Sequence, residues 1–189
     1  MKTRELTKKA FDLLGCFAAA LIFTPAWLLI SLLIWIDDRG PVYFVQTRIG
    51  RHGKPIRVFK FRTMRAGAVT RAGRVLRASG LDELPQYLNV LKGEMSIVGP
   101  RPLTADDVER LGWTQGPIRA RWSVRPGITG LAQINTGCGA ARSAELDLKY
   151  VLESSVWLDV KIILVSFAMN LAGKRRAQSA LRGLIQRLG

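Results

Sequence analysis

The sequence predicts an α+β protein: a mostly helical small globular domain with one short β-hairpin, an N-terminal re-entrant membrane helix, and amphipathic helices lying at an interface. Three observations lead there. An uncharged stretch covers residues 13–36, roughly 24 residues where a membrane helix needs about 20. Two β-prone runs, 42–49 and 56–64, flank a turn-forming segment at 50–55, the pattern of a hairpin. Apolar stripes at helical spacing recur towards the C-terminus among bases. The chain divides accordingly into a membrane helix with a basic N-terminus (1–37), a globular domain (38–173) and a basic amphipathic C-terminal helix (174–189).

Composition narrows the partners. The 189 residues carry 29 Lys+Arg against 14 Asp+Glu, a net charge of +15, so anionic ligands or an anionic lipid bilayer are favoured. A hydrophobic content of 48% is too high for a simple basic nucleic-acid binder. Cys16 lies in the apolar run and Cys138 in a Gly-rich loop, which argues for a reducing compartment and against a thiolate zinc site. His52 is the single histidine and sits at a turn tip, so neither H-E-x-x-H zinc chemistry nor a Ser-His-Asp triad is expected. There is no Walker A motif and no G-x-G-x-x-G.

In order along the chain, Lys2, Arg4, Lys8 and Lys9 precede the apolar run, and Arg39, Arg48, Arg51 and Lys54 follow it. Bases on both flanks leave the positive-inside rule without a choice. A helix that enters and turns back resolves the conflict by keeping both flanks on one side. Thr24-Pro25 stands at the middle of the run, where proline deletes a backbone hydrogen bond and kinks the helix. The Thr24 hydroxyl is placed to satisfy part of the freed backbone, and Trp27 and Trp35 are expected as interfacial anchors. In the second hairpin run, Lys60 and Arg62 share a face, as a solvated face or as a phosphate clamp. Residues 66–79 are basic and rich in small side chains. Leu81, Leu84, Leu88 and Leu91 then predict a helix with Pro85 in its first turn. Residues 96–102 are expected to break regular structure, 105–111 to form a short helix, 128–134 a strand, 135–141 a loop and 145–170 one helix. The final stripe (Ala177, Leu181, Leu184, Ile185, Leu188) predicts a basic helix on an anionic bilayer, with docking on the protein itself as the alternative.

Asp82-Glu83 is the segment with chemical content. Acids in a first helical turn offset the helix dipole, which is one reading. The other is a nucleophile: helix N–H groups and nearby arginines would lower the pKa of a carboxylate and keep it ionised. An ionised carboxylate can attack phosphorus, and dense Lys/Arg with Mg²⁺ would offset its repulsion from the phosphate.

Four blocks in this order resemble the small monotopic polyprenol-phosphate phosphoglycosyl transferases of the bacterial sugar transferase family. They are Phe59-Lys-Phe-Arg-Thr-Met64; Leu81-Asp-Glu-Leu-Pro-Gln86 running on to Val98-Gly-Pro-Arg-Pro102; Val124-Arg-Pro-Gly-Ile-Thr-Gly130; and Asp147-x-x-Tyr150 with Ser155 and Asp159. The resemblance implies transfer of a sugar 1-phosphate from a UDP-sugar to polyprenol phosphate, releasing UMP, with Mg²⁺ as cofactor. This is the first membrane step of bacterial glycoconjugate synthesis, on the cytoplasmic face of the inner membrane. It implies Asp82 as nucleophile and metal ligand, Glu83 as the acid that assists the acceptor, and Arg77 as a phosphate-binding arginine. Lys60, Arg62, Arg101, Arg125, Asp147 and Asp159 match motif positions near the site, and Thr24-Pro25 matches the break in the re-entrant helix. No nucleic acid is expected, and a homo-oligomer is left open. The sequence departs from the family in a short 65–73 segment, in Gly80 where serine is common, and in Thr136-Gly137-Cys138 after Asn135. That last loop is a candidate sugar or nucleotide contact. A membrane-tethered nucleic-acid binder and a scaffold are the alternatives.

Overall fold

The computed structural model describes residues 2–135 and 137–172 together with Gly183, Ile185 and Leu188. Its first element, α1 (Lys2–Asp38), is one continuous helix that contains Pro25. The Thr24 hydroxyl donates to the Ala20 carbonyl at 2.6 Å, beside the position where proline has no N–H to give. One face of α1 is buried through Asp12, Cys16, Ile30 and Ile34, while Leu14, Leu21, Leu28 and Trp35 point outward at heptad spacing. The apolar part of α1 therefore has one face packed on the protein and another left uncovered. The Trp27 indole N–H donates to Tyr43 Oη at 2.8 Å, and its ring meets Phe61 edge-on.

The hairpin forms as expected, from β1 (Tyr43–Ile49) and β2 (Pro55–Phe61), antiparallel in the register Tyr43↔Phe61 to Ile49↔Pro55. His52 (φ 58) and Gly53 (φ 75) make its turn. On β2, Ile56 and Val58 face the core and Lys60 continues that face. A second small hairpin follows, β3 (Met64–Arg65) with β4 (Ala68–Val69). Ala66 (φ 48) and Gly67 (φ 82) both take the left-handed conformation that a two-residue turn of this hand requires. Helix α2 (Arg71–Ser79) starts at Thr70, whose hydroxyl accepts from Gly73 N at 2.9 Å.

The helix expected over 81–91 is divided. Leu81–Gln86 is a 3₁₀ segment and only Tyr87–Leu91 is α-helical (α3). Gly80, at φ 72, closes α2, and Glu83 N bonds back to Gly80 O in the tighter i→i−3 pattern.

Two further expectations are corrected. The 96–102 segment contains β5 (Ser96–Val98), which pairs in parallel with β6 (Gly127–Thr129). The expected 128–134 strand stops at Thr129, and Leu131–Ile134 forms a helical turn, α5. Glycines explain why so short a ladder holds: a Cβ on Gly127 would sit 2.0 Å from Gly99 N. Between the two strands lie α4 (Ala105–Arg110), with a Thr104/Asp107 capping box, and a 3₁₀ segment, Pro117–Ser123.

The single helix expected over 145–170 is two helices, α6 (Ala140–Glu153) and α7 (Val156–Ala172). The chain breaks at Ser154-Ser155, where Ser155 Oγ accepts from Leu158 N. Ile162, Val165 and Met169 of α7 bury against Leu131, Leu146 and Tyr150 to form the main core. Of the expected C-terminal stripe, Ile185 and Leu188 are helical and buried in that same core. The docked alternative describes these two, and the rest of the stripe lies outside the described residues.

Gly127→Ala is expected to lower stability by about 1–3 kcal/mol through overpacking against Gly99. An unchanged urea midpoint would contradict the close approach of the two backbones.

Candidate active site

A cavity of about 960 Å³ opens between the hairpin, the 3₁₀ segment at 81–86, and α7. Six sequence-predicted residues line it: Lys60, Arg62, Arg77, Asp82, Glu83 and Arg101. Each arrives from a different local cause. Strand alternation aims Lys60 inward. The last turn of α2 delivers Arg77, whose Nε donates to Thr63 Oγ1 at 2.8 Å. The left-handed Gly80 turns the chain so that Asp82 and Glu83 follow directly.

Lys60 Nζ holds Glu83 Oε1 at 2.6 Å, and Arg101 Nη2 stands 3.9 Å from the same oxygen. Lys60 therefore belongs to the cavity rather than to a solvated face. Asp82 is half-buried. Burial raises its pKa first and the neighbouring Glu83 charge raises it further, with Lys60 and Arg77 pulling the other way. The expected lowering by a helix N-terminus is thus reversed. A short 3₁₀ turn offers little dipole, and desolvation penalises the anion.

Arg125, Asp147 and Asp159 are not among the lining residues. Arg125 stands 3.9 Å from Glu5 near the start of α1. Asp159 is wholly buried, with Lys8 Nζ at 2.9 Å and Tyr150 Oη at 2.8 Å, and Lys8 also pairs with Asp12. Burial raises the Asp159 pKa and Lys8 opposes the rise. This cluster fastens α1 to α7.

Asp147 reaches the cavity indirectly. Its Oδ2 accepts from Arg121 Nε and Nη2 at 3.0 and 2.8 Å, and Arg121 Nη2 also donates to the Arg101 carbonyl at 2.9 Å. Trp113 and Trp122 lie within 5.5 Å of the guanidinium. Arg121 thus fixes the main chain that carries Arg101. Arg121 is not among the site residues expected from the sequence, and the signal that marks it is the adjacent Trp122.

Arg48 and Gln133 also line the cavity and were not assigned to the site from sequence. Arg48 Nη1 bonds the Pro102 carbonyl and pairs with Asp107 at 3.4 Å. Burial and then the nearby Arg101 charge lower its pKa. Gln133 Nε2 donates to Ile128 O, while its buried Oε1 has no hydrogen-bond partner among the described residues. That oxygen is an acceptor available to a ligand N–H or O–H.

The cavity thus places two adjacent carboxylates among five bases, Arg48, Lys60, Arg62, Arg77 and Arg101, an arrangement suited to holding phosphates next to a nucleophile. Comparison with known proteins agrees on the lineage: the bacterial sugar transferase family matches residues 3–173. The chain belongs to this family. One similar sugar transferase is the UDP-glucose:undecaprenyl-phosphate glucose-1-phosphate transferase of Escherichia coli, 38% identical over 90% of this chain and 41% of its own length. The protein of the same name in Caulobacter vibrioides is 38% identical, covering 85% and 68%. The UDP-N-acetylgalactosamine-undecaprenyl-phosphate N-acetylgalactosaminephosphotransferase of Aeromonas hydrophila is 37% identical, covering 88% and 44%. The chain therefore spans less than half the length of two of these three. Sugar transferases named for different sugars resemble it equally, so identity does not select the sugar.

Arg121→Ala leaves Asp147 buried without its partner and is expected to cost about 3–5 kcal/mol of stability. A loss below about 1 kcal/mol in chemical denaturation would show that the pair is not holding this region.

Proposed function

We propose that this chain transfers a sugar 1-phosphate from a UDP-sugar to a membrane polyprenol phosphate, through a covalent phosphosugar on Asp82. The observation that carries the reading is the convergence of Asp82 and Glu83 with Lys60, Arg62, Arg77 and Arg101 in one cavity, in a member of a sugar transferase family. In the first half-reaction an Asp82 oxygen bonds to the sugar-bearing phosphorus, and the bond from that phosphorus to UMP breaks, its electron pair leaving with UMP. In the second, an oxygen of the lipid phosphate bonds to the same phosphorus and the aspartyl bond breaks, giving polyprenol-diphosphate-sugar and restoring the carboxylate. Lys60, Arg62, Arg77 and Arg101 bind and orient the phosphates. Glu83, held by Lys60, lies beside the reacting centre and is assigned to assist the acceptor.

Mg²⁺ fits this donor set. The described residues contain no group of three or more metal-ligating side chains of the His, Cys, Asp and Glu kind, but Mg²⁺ is commonly bound by one or two carboxylates plus substrate phosphates. Asp82 would hold it, and the ion, when bound, supplies neutralisation of phosphate charge.

A membrane position with both flanks of α1 on one face has support from the contacts. Trp27 meets Tyr43 at one end of the hairpin, and Glu5 pairs with Arg51 at the other. A perpendicular span would carry Gln46 and Arg48 into hydrocarbon with the hairpin, a costly placement. We place the protein on the cytoplasmic face of the inner membrane, with α1 re-entrant at Thr24-Pro25. The nucleic-acid alternative gains nothing from the aromatic residues: Lys92 lies over Phe59, Arg121 lies over Trp122, and Phe61 is buried.

Asp82→Asn is expected to abolish UMP release with UDP-sugar, Mg²⁺ and polyprenol phosphate while leaving Tm equal or higher. Because burial lifts this carboxyl above its unfolded pKa, ionising it costs folding free energy. That cost is absent below the ordinary carboxylate pKa and complete above the raised one, and asparagine removes it. In the metal-free protein the Asp82 carboxyl should accordingly titrate above 3.8, the ordinary aspartate value, when followed by NMR. Turnover in folded Asp82→Asn protein would remove the nucleophile assignment. Cysteines introduced near Lys2 and near Arg51 should label from the same side of the membrane, and labelling from opposite sides would make α1 a span.

A further inference from the structure

The two ends of the cavity differ in chemistry, and the boundary between them falls beside the acidic pair. Along β1, the side chains lining the cavity run Arg48, Gln46, Phe44, from cation through amide to aromatic ring within about 14 Å at the strand rise. Phe44 is the cross-strand partner of Lys60, and such partners have Cβ atoms about 5 Å apart. Lys60 is the residue that holds Glu83 at 2.6 Å. The apolar end therefore begins one side chain away from the carboxylates.

That end is finished by α7. Ile163, Phe167 and Leu171 follow one another at four-residue spacing along one edge of the helix, and all three line the cavity. Phe44, Phe167 and Leu171 are 48%, 57% and 74% exposed, a set of large apolar side chains at a cavity mouth that water does not favour. Phe23 of α1 also lines the cavity, on the helix whose outward face carries Leu21 and Leu28. The mouth is thus continuous with the apolar surface of the membrane helix. A lipid phosphate has this same division, an anion attached through one ester oxygen to a hydrocarbon chain.

We propose that Phe44, Phe167 and Leu171 form a binding strip for the first isoprene units of the lipid-phosphate acceptor. Its chain then leaves the cavity between α1 and α7 while its phosphate reaches residue 82. The inference rests on the transfer reaction proposed above and adds where the acceptor's chain lies.

The test uses the full chain in detergent micelles, with a two-isoprene alkyl phosphate as soluble acceptor and undecaprenyl phosphate in parallel. The variants are Phe44→Ser, the double variant Phe167→Ser with Leu171→Ser, and Leu164→Ser, which alters an exposed α7 residue outside the cavity. The KM for the two-isoprene acceptor should rise about tenfold in the strip variants, as expected for losing about one good apolar contact. The KM for UDP-sugar, read from exchange of labelled UMP, should move less than twofold, and Leu164→Ser should shift neither. An unchanged acceptor KM would overturn the strip. So would a parallel rise in the UDP-sugar KM, which assigns these residues to the nucleotide, or an equal effect of Leu164→Ser, which assigns them to general lipid contact. Absence of UMP exchange in the wild-type protein would count against the covalent reaction instead, and the acceptor KM would still decide the strip.

Discussion

An anion that burial disfavours, placed next to a second anion, is the constraint around which this structure is built. Asp82 is half-buried and its pKa is raised, first by desolvation and then by Glu83. The fold answers with cations from separate elements: Lys60 from β2, Arg77 from α2 and Arg101 from the loop after β5. Lys60 takes up the charge of Glu83 directly, which limits the repulsion felt by Asp82. Under the reaction proposed above, a carboxylate that its surroundings stabilise poorly as an anion is the more ready to attack phosphorus once ionised.

Behind the cavity, the same rule governs charges that do not line it. Arg121 and Asp147 are buried as a pair, as are Lys8 and Asp159. Neither pair is strong evidence for stability, since desolvation offsets much of the attraction. What each does is fix a backbone: the first holds the carbonyl of Arg101, and the second fastens the start of α1 to α7. The cavity-facing bases are thus supported by charges placed one layer deeper.

The parts of the fold legible in the sequence were those with a strong period or strong punctuation. The hairpin followed from alternation around Gly50–Gly53, and α1 from its uncharged length. The β5–β6 pair was not legible, because three-residue strands next to Gly99, Pro100 and Gly127 have the composition of a loop. Their pairing depends on two glycine backbones meeting across nearly 30 residues of chain. The 3₁₀ segment was hidden because Leu81, Leu84 and Leu88 fit an α-helical stripe equally well. At the site, Lys60, Arg62, Arg77, Asp82, Glu83 and Arg101 come together, whereas Asp147 and Asp159 belong to the supporting pairs. Motif membership marks residues that the fold needs, and spacing alone does not separate those that face the cavity from those one shell behind it.

The grip on α1 at both ends has a consequence for how its length can vary. Lys8 and Asp12 fix one end against β5 and α7, and Asp37 accepts from Ala72 N at the other. Adding one residue between these anchors would rotate the far end by about 100° and advance it about 1.5 Å, so both clasps could not close together. The helix is thus held in phase as well as in place, and its middle should accept changes of side chain far more readily than insertions or deletions.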